Sequence, residues 1–191
     1  MKKFITTATV ILVAFIAFSF TSLETITKEV IIEKSKVTWK GYKVTGSHEG
    51  TIALQSGTLK FEADVLVGGE FVIDMTSITN VDLQGEYKDK LEGHLKSDDF
   101  FGVEKFPIAT LVFKNVEVAG KNSYKVTGDL TIKEKTNPVI FDFSVYGSKA
   151  NATLKIDRSK YDVKYGSSSF FDNLKDKVIY DEFDLISDLE F

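Results

Sequence analysis

The side chains able to do chemistry are few and poorly placed for catalysis. There are two histidines, His48 and His94, and no cysteine. Metal binding by imidazole pairs needs spacings such as H-x-H or H-E-x-x-H, and neither occurs. His94 sits beside Leu95 on an amphipathic stretch and reads as a hydrogen-bonded packing contact. His48 opens a strand and is the better candidate to meet a polar ligand atom, the alternative being a hydrogen bond to its own turn. Asp98 and Asp99 are adjacent, so their carboxylates diverge, whereas an acid–base pair must converge on one bond. With Ser97 they read as a cap or turn. Ser167, Ser168 and Ser169 lack the G-x-S-x-G elbow of a nucleophile, and no histidine lies near them in sequence. Arg158 follows a strand. It is either one half of a structural ion pair, the commoner use, or the group that meets an anionic ligand. The chain therefore shows no convergent acid, base or nucleophile, no metal set and no cofactor motif, and is read as a non-enzyme.

What it has in quantity is apolar surface that must be positioned. Sixteen Phe, seven Tyr and one Trp make it 13% aromatic. Alternation of period two, punctuated by glycine, recurs along the chain and marks antiparallel β-structure. Glu24 to Lys34 is an edge strand or an ordered lead-in. Val37 and Trp39 share a face; so do Ile52 and Leu54. Gly57 is expected to turn the chain into Leu59, Phe61, Ala63 and Val65, and Gly68-Gly69 to turn it again into Phe71, Ile73 and Met75. Thr79 to Phe101 is the one helical interruption, with Tyr87, Leu91, His94 and Leu95 on one face. Strands resume with Leu111 and Phe113, then Leu130 and Ile132, then Phe141 and Phe143, then Leu154 and Ile156. The last carries Phe183, Leu185, Leu189 and Phe191. Eight or nine amphipathic strands can bury one face each in a sandwich or in a closed barrel. The expected inward set is Trp39, Ile52, Leu54, Phe71, Ile73, Met75, Leu111, Phe113, Leu130, Phe141, Phe143, Phe183 and Leu185. A one-residue slip in any strand would exchange its members.

The stretch His94–Asn115 organises the rest. A helical period ends in Phe100, Phe101, Gly102 and Phe106, and after Pro107 the period becomes two. Proline cannot donate to a ladder, so it introduces the strand. The residues His94, Leu95, Ser97, Asp99, Phe100, Phe101, Phe106 and Pro107 resemble the H-L-x-S-x-D-F-F…[YF]-P signature of the YceI-like family of bacterial lipid-binding proteins. Two further runs resemble that family in the same order. One is Tyr124, Val126, Gly128 and Leu130-Thr131-Ile132 followed by Thr136-Asn137-Pro138-Val139, with Glu134-Lys135 where a glycine is common. The other is Ile156, Arg158 and Tyr161. The resemblance spans residues 35–191. It implies an all-β, antiparallel, lipocalin-like barrel of eight to nine strands with one short helical insertion and an apolar tunnel. It implies an isoprenoid or other long-chain lipid as ligand, with Arg158 first in line to meet an anionic head group. The long loop Tyr165–Lys177, with Phe170 and Phe171, and the Phe100, Phe101, Phe106 turn are expected to gate the tunnel.

At the start, Met1-Lys2-Lys3, an apolar run of about 17 residues from Phe4 and small residues at Ala17, Ser19 and Thr21 describe a cleaved signal peptide over residues 1–21. A membrane anchor is the alternative. Residues 22–191 then form one exported domain, periplasmic or secreted. Losing Lys2 and Lys3 makes a chain of net charge −4 still more acidic, which argues against nucleic acid and against anionic membrane surfaces; membrane contact is expected to be transient only. The oligomeric state is left open, a dimer included. The expected function is carriage or sequestration of an amphiphile without covalent chemistry. The rivals are a filled barrel acting as a stress-related interaction module, and a lipid-modifying enzyme.

Overall fold

The computed structural model of the protein describes residues 24–191, and the expected leader at residues 1–21 lies outside them. Nine strands run in order: β1 (Thr25–Glu29), β2 (Lys36–Lys43), β3 (Gly46–Glu62), β4 (Val65–Asn80), β5 (Ile108–Gly120), β6 (Ser123–Ile132), β7 (Lys135–Tyr146), β8 (Lys149–Asp157) and β9 (Ile179–Glu190). Helix α1 (Gly85–Lys96) lies between β4 and β5. From β2 onward each strand pairs antiparallel with the next, and β9 returns to β2. The result is a closed up-and-down barrel, as expected, with β1 added against the far half of β3. Closure leaves the barrel strands no unpaired edge along the ring.

β2 is too short to run the length of β3, and the lead-in segment fills the resulting seam. Val30 N–H donates to Gly57 O at 2.9 Å and Ile31 N–H to Glu190 O at 2.7 Å. The Ser35 hydroxyl accepts from Glu190 N–H at 3.0 Å, and the Val30 side chain is buried.

Several boundaries differ from the sequence reading. β3 runs through Gly57 and β4 through Gly68-Gly69; the turn between them is Ala63-Asp64, with φ of 46° and 65°. Two left-handed residues match the strand twist in a tight hairpin. Gly57 and Gly69 serve close approach instead. A Cβ at Gly57 would lie 2.9 Å from the Phe71 ring, and one at Gly69 2.9 Å from the Phe113 ring. The helix begins at Gly85, because Thr79 and Asn80 extend β4. Leu95 is buried and Leu91 partly so, but Tyr87 is 75% exposed and lies off the packed face.

The meander sends alternate connections to the same end of the barrel. One end, the mouth, gathers the β2–β3 turn, α1 with the turn after it, the β6–β7 turn and the long β8–β9 loop. Contacts tie these together: Lys133 Nζ donates to Phe100 O at 3.0 Å and to Asp162 O at 3.3 Å, and Val44 N–H donates to Val178 O at 3.2 Å. The other end holds three tight hairpins and the chain end Phe191.

Candidate ligand-binding cavity

Two cavities lie inside the barrel. The one toward the mouth is about 110 Å³, bounded by Trp39, Met75, Ile78, Phe100, Phe101 and Phe183, with Arg158, Ile179 and Tyr180 at its rim. The deeper one is about 60 Å³, bounded by Leu54, Phe71, Phe113, Phe141, Phe143 and Leu189. Val37, Ile73, Leu130 and Leu185 border both and form a waist between them. A dry cavity of roughly 150 Å³ admits one benzene. The mouth cavity is thus sized for a short piece of hydrocarbon, and a longer chain requires the waist or the covering rings to move.

Each wall residue has a local reason for its place. The Trp39 indole lies across Gly50 and donates its Nε1–H to Thr79 O at 3.1 Å. A Cβ on Gly50 would sit 2.6 Å from that indole and 1.8 Å from the same carbonyl. In β4, Phe71, Ile73 and Met75 alternate inward, then a bulge shifts the parity. Thr51 pairs with Thr79 but Ala53 with Asp74. Asp74 drives the bulge by accepting from Thr76 N–H at 2.9 Å and Thr76 Oγ1–H at 2.6 Å, while Ser77 Oγ–H donates to Asp74 O. Ile78, rather than Ser77, therefore faces the cavity.

The lid comes from the segment after α1. Ser97 Oγ–H donates to His94 O at 2.7 Å, and Phe101 N–H and Gly102 N–H fold back to Leu95 O and Ser97 O. This turn needs a left-handed residue, and Gly102 has φ of 58°. It delivers Phe100 and Phe101 over the mouth, buried, with ring centroids 5.0 Å apart.

Arg158 is 2% exposed and fully committed to structure on three sides. It donates to Tyr180 O, Val163 O and Ile179 O at 3.2, 2.9 and 3.0 Å, lies 3.4 Å from Asp181, and stacks 5.2 Å from the Phe100 ring. Burial lowers its pKa, opposed by Asp181 and Asp157. These contacts, the structural use given as the commoner one, pin both ends of the β8–β9 loop to the lid, while Arg158 still borders the mouth cavity. Burial, and then Asp157, push the neighbouring Tyr161 hydroxyl up to about 12. Ser167 is buried in a turn, its hydroxyl accepting from Ser169 N–H at 3.1 Å.

Twelve of the sixteen residues expected to contact a ligand do border the cavities: Trp39, Phe71, Ile73, Met75, Phe100, Phe101, Phe113, Leu130, Phe141, Phe143, Arg158 and Phe183. Four do not. His48 is held outside by Asp82, with Nδ1 and Oδ2 2.9 Å apart. Burial works to raise the Asp82 pKa, but hydrogen bonds from His48, Asn80 and Glu49 N–H outweigh it and hold the carboxyl low. Phe106 packs against Gly102 in the turn, because Phe106 N–H closes back to Gly102 O at 2.9 Å. Phe170 and Phe171 are exposed, since their N–H groups fold onto Ser167 O and turn the rings outward. The sequence reading missed Ile78, hidden by the bulge, and Leu95, Ile179 and Tyr180, which come from non-strand or irregular pairing. The D-x-T-S run at Asp74–Ser77 was the available signal for the first.

A closed meander barrel whose inward faces enclose an apolar cavity under an aromatic lid is a lipocalin-like architecture. The chain belongs to the YceI-like domain family, whose profile matches residues 29–191. A UPF0312 protein of Staphylococcus aureus (strain USA300) is 30% identical over 158 residues, covering 77% of this chain and 80% of the relative. BcnA of Burkholderia cenocepacia superposes with a TM-score of 0.66 at 25% identity, over 84% of this chain and 98% of its own. A polyisoprenoid binding domain of Saccharophagus degradans, implicated in plant cell wall breakdown, superposes with a TM-score of 0.60 at 15% identity. That match covers 88% of this chain and 97% of the neighbour, and shows a shared fold.

Proposed function

We propose that the protein is exported, to the periplasm or beyond the cell, and holds an isoprenoid or similar long-chain amphiphile inside the barrel without covalent chemistry. The carrying observation is the pair of apolar cavities inside the barrel, whose walls share the four aliphatic residues Val37, Ile73, Leu130 and Leu185. Each methylene taken from water contributes about 0.8 kcal/mol, so a dozen carbons supply roughly 10 kcal/mol before the costs of ordering. That is enough for binding without a strong polar contact. The lipid ligand of the Saccharophagus degradans domain supports the choice of an isoprenoid. The leader-like composition of residues 1–21 supports export.

Loading requires the Phe100–Phe101 lid to swing and the waist to part, because the cavities as folded hold less than a long chain. Native mass spectrometry of the mature chain after incubation with farnesol and with a longer prenol tests this. A one-to-one adduct is expected, together with a shift in emission from Trp39, the only tryptophan. No adduct and no shift would overturn it. They would favour a filled barrel acting as an interaction module, a reading that draws on the close-packed rings around Phe113.

A further inference from the structure

Part of the mouth cavity is bordered by an irregular stretch of the barrel wall. Between β2 and β9 the ladder slips: Gly41 pairs with Phe183, but Lys43 pairs with Ile179. Three β9 residues, Tyr180–Glu182, thus stand opposite the single residue Tyr42, and the wall is locally unpaired. Gly41 and Tyr180 both border the cavity there, and a Cβ on Gly41 would meet nothing within 4 Å. A bulge beside a side-chain-free position is the weakest barrier between interior and solvent.

The surface around this gap is apolar out of proportion to the rest of an acidic protein. Tyr165, Phe170, Phe171, Tyr180 and Val44 are each roughly half exposed. Backbone contacts hold them around the gap: Ile179 N–H donates to Gly166 O, and Val44 N–H to Val178 O. Four large aromatic residues on one loop and its outgoing strand far exceed scattered surface exposure. The loop that carries most of them has a cationic excess of one charge, beside Asp181 and Glu182 at the gap itself. Residues 159–178 carry four lysines against three aspartates, whereas residues 82–105, on the other part of the same end, carry seven carboxylates against four lysines. Lys164 Nζ lies 5.3 Å from the Phe170 ring centroid and 2.7 Å from Asp162 Oδ1, so its charge is already partnered.

We propose that the β8–β9 loop is a membrane-docking surface. On this proposal Phe170 and Phe171 enter the acyl–headgroup boundary, Lys175 and Lys177 face anionic headgroups, and the β2–β9 gap passes lipid between bilayer and cavity. Exposed phenylalanines flanked by lysines match the chemistry of an interfacial anchor. The occupant is a lipid surface because Tyr180 belongs both to the exposed patch and to the cavity wall, so that a parted gap would make the cavity and a bilayer continuous and apolar throughout. This deepens the proposed function and names its source of ligand.

Vesicle sedimentation of the mature chain tests it. With mixed phosphatidylglycerol and phosphatidylethanolamine vesicles the wild type should pellet, and Phe170→Ser/Phe171→Ser should bind about tenfold more weakly. Because both rings are about half exposed, that variant should lower the melting temperature by only a few degrees and stay folded at the assay temperature. Lys175→Glu/Lys177→Glu should weaken binding to those vesicles and leave binding to phosphatidylcholine vesicles unchanged. Equal pelleting of wild type and the Phe variant, or no pelleting of either, would overturn the proposal. So would a wild-type dimer that the Phe variant turns into a monomer, since a second copy would then cover the patch. Farnesol added from water separates this from the cavity reading. A wild type that pellets through Phe170 and Phe171 while Trp39 emission ignores farnesol would keep the docking surface and remove only the lipid cavity.

Discussion

The two ends of the barrel are built from the same residue types and behave differently. At the deep end Phe113 is a hub, with ring centroids 5.6, 5.7 and 5.5 Å from those of Phe71, Phe141 and Phe143. Leu59, Leu66 and Val126 beneath are almost wholly excluded from solvent, and Phe61 stacks on Phe191 at 5.6 Å. At the mouth the large side chains pair with one another, Phe100 and Phe101 at 5.0 Å, but surround the larger of the two cavities. Trp39 is held by one hydrogen bond across Gly50, and Phe100 and Phe101 form a lid on a turn. Close packing at one end gives stability through dispersion and burial. Spacing at the other leaves unfilled apolar wall. An aromatic-rich interior is therefore neither hollow nor solid by composition; the distance to the opposite strand decides.

The contrast can be tested from its strongest element downward. Gly50→Ala should cost about 3 kcal/mol or more, because the new Cβ meets the backbone oxygen of Thr79 at 1.8 Å. In a domain of this size that is a fall of roughly 6–12 °C in Tm, readable by thermal melting. A fall under a few degrees would mean that Trp39 is not fixed as described.

Next come two phenylalanines of similar burial. Phe113→Ala should cost about 4 kcal/mol in denaturant titration, and Phe101→Ala about 2 kcal/mol, since one loses three ring partners and the other one. Phe101→Ala alone should speed farnesol uptake, followed by stopped-flow Trp39 emission. Equal costs and equal rates would erase the distinction between the ends.

A smaller effect is expected from pH. His94 packs its ring 4.3 Å from Tyr165 and 5.5 Å from Phe100, with Nε2 buried and unpartnered. Burial lowers its pKa, Asp99 opposing and Arg158 assisting. A folded pKa below the unfolded value means that the stabilisation is complete above about pH 6.5 and is lost as pH falls through the folded value. Ligand release should therefore quicken from pH 7.5 to pH 5, and His94→Gln should flatten that dependence. The deep end contains no histidine and should show no matching change in hydrogen exchange.

The smallest effect lies in the β6–β7 hairpin. Lys133 and Glu134 occupy left-handed φ of 50° and 59° without a glycine. Lys133 is retained by its bonds to Phe100 O and Asp162 O, whereas Glu134 has no such tie. Glu134→Gly should raise stability by about 0.5–1 kcal/mol, seen as a Tm higher by a few degrees, with ligand uptake unchanged.

Much of this molecule was legible in the residues. Strict alternation identified the inward faces of β6 and β7, because those strands pair without a slip from Ser123 to Ile132. The Phe100–Phe101 lid was legible too, since three phenylalanines around one glycine must cover something. β3 and β4 were harder. Their glycines looked like turns because glycine permits both a reversed backbone and a close approach, and local sequence does not distinguish the two. Phe170 and Phe171 were misread for a related reason. Two adjacent aromatics at a barrel mouth can point in or out, and the turn at Ser167 chooses.

The amino-acid sequence by itself determined an antiparallel all-β chain with one apolar face per strand, because period-two burial over so many strands has few ways to exclude water; the choice of closed barrel over sandwich came from the family resemblance and was settled by the pairing of β9 with β2. Tertiary structure alone decided how much of the barrel interior is filled, that Arg158 bonds to the backbone of the loop and of β9, and where the β2–β9 ladder slips. Those outcomes depend on bulges and on registers between strands far apart in the chain, and one residue of slip in either changes which side chains meet.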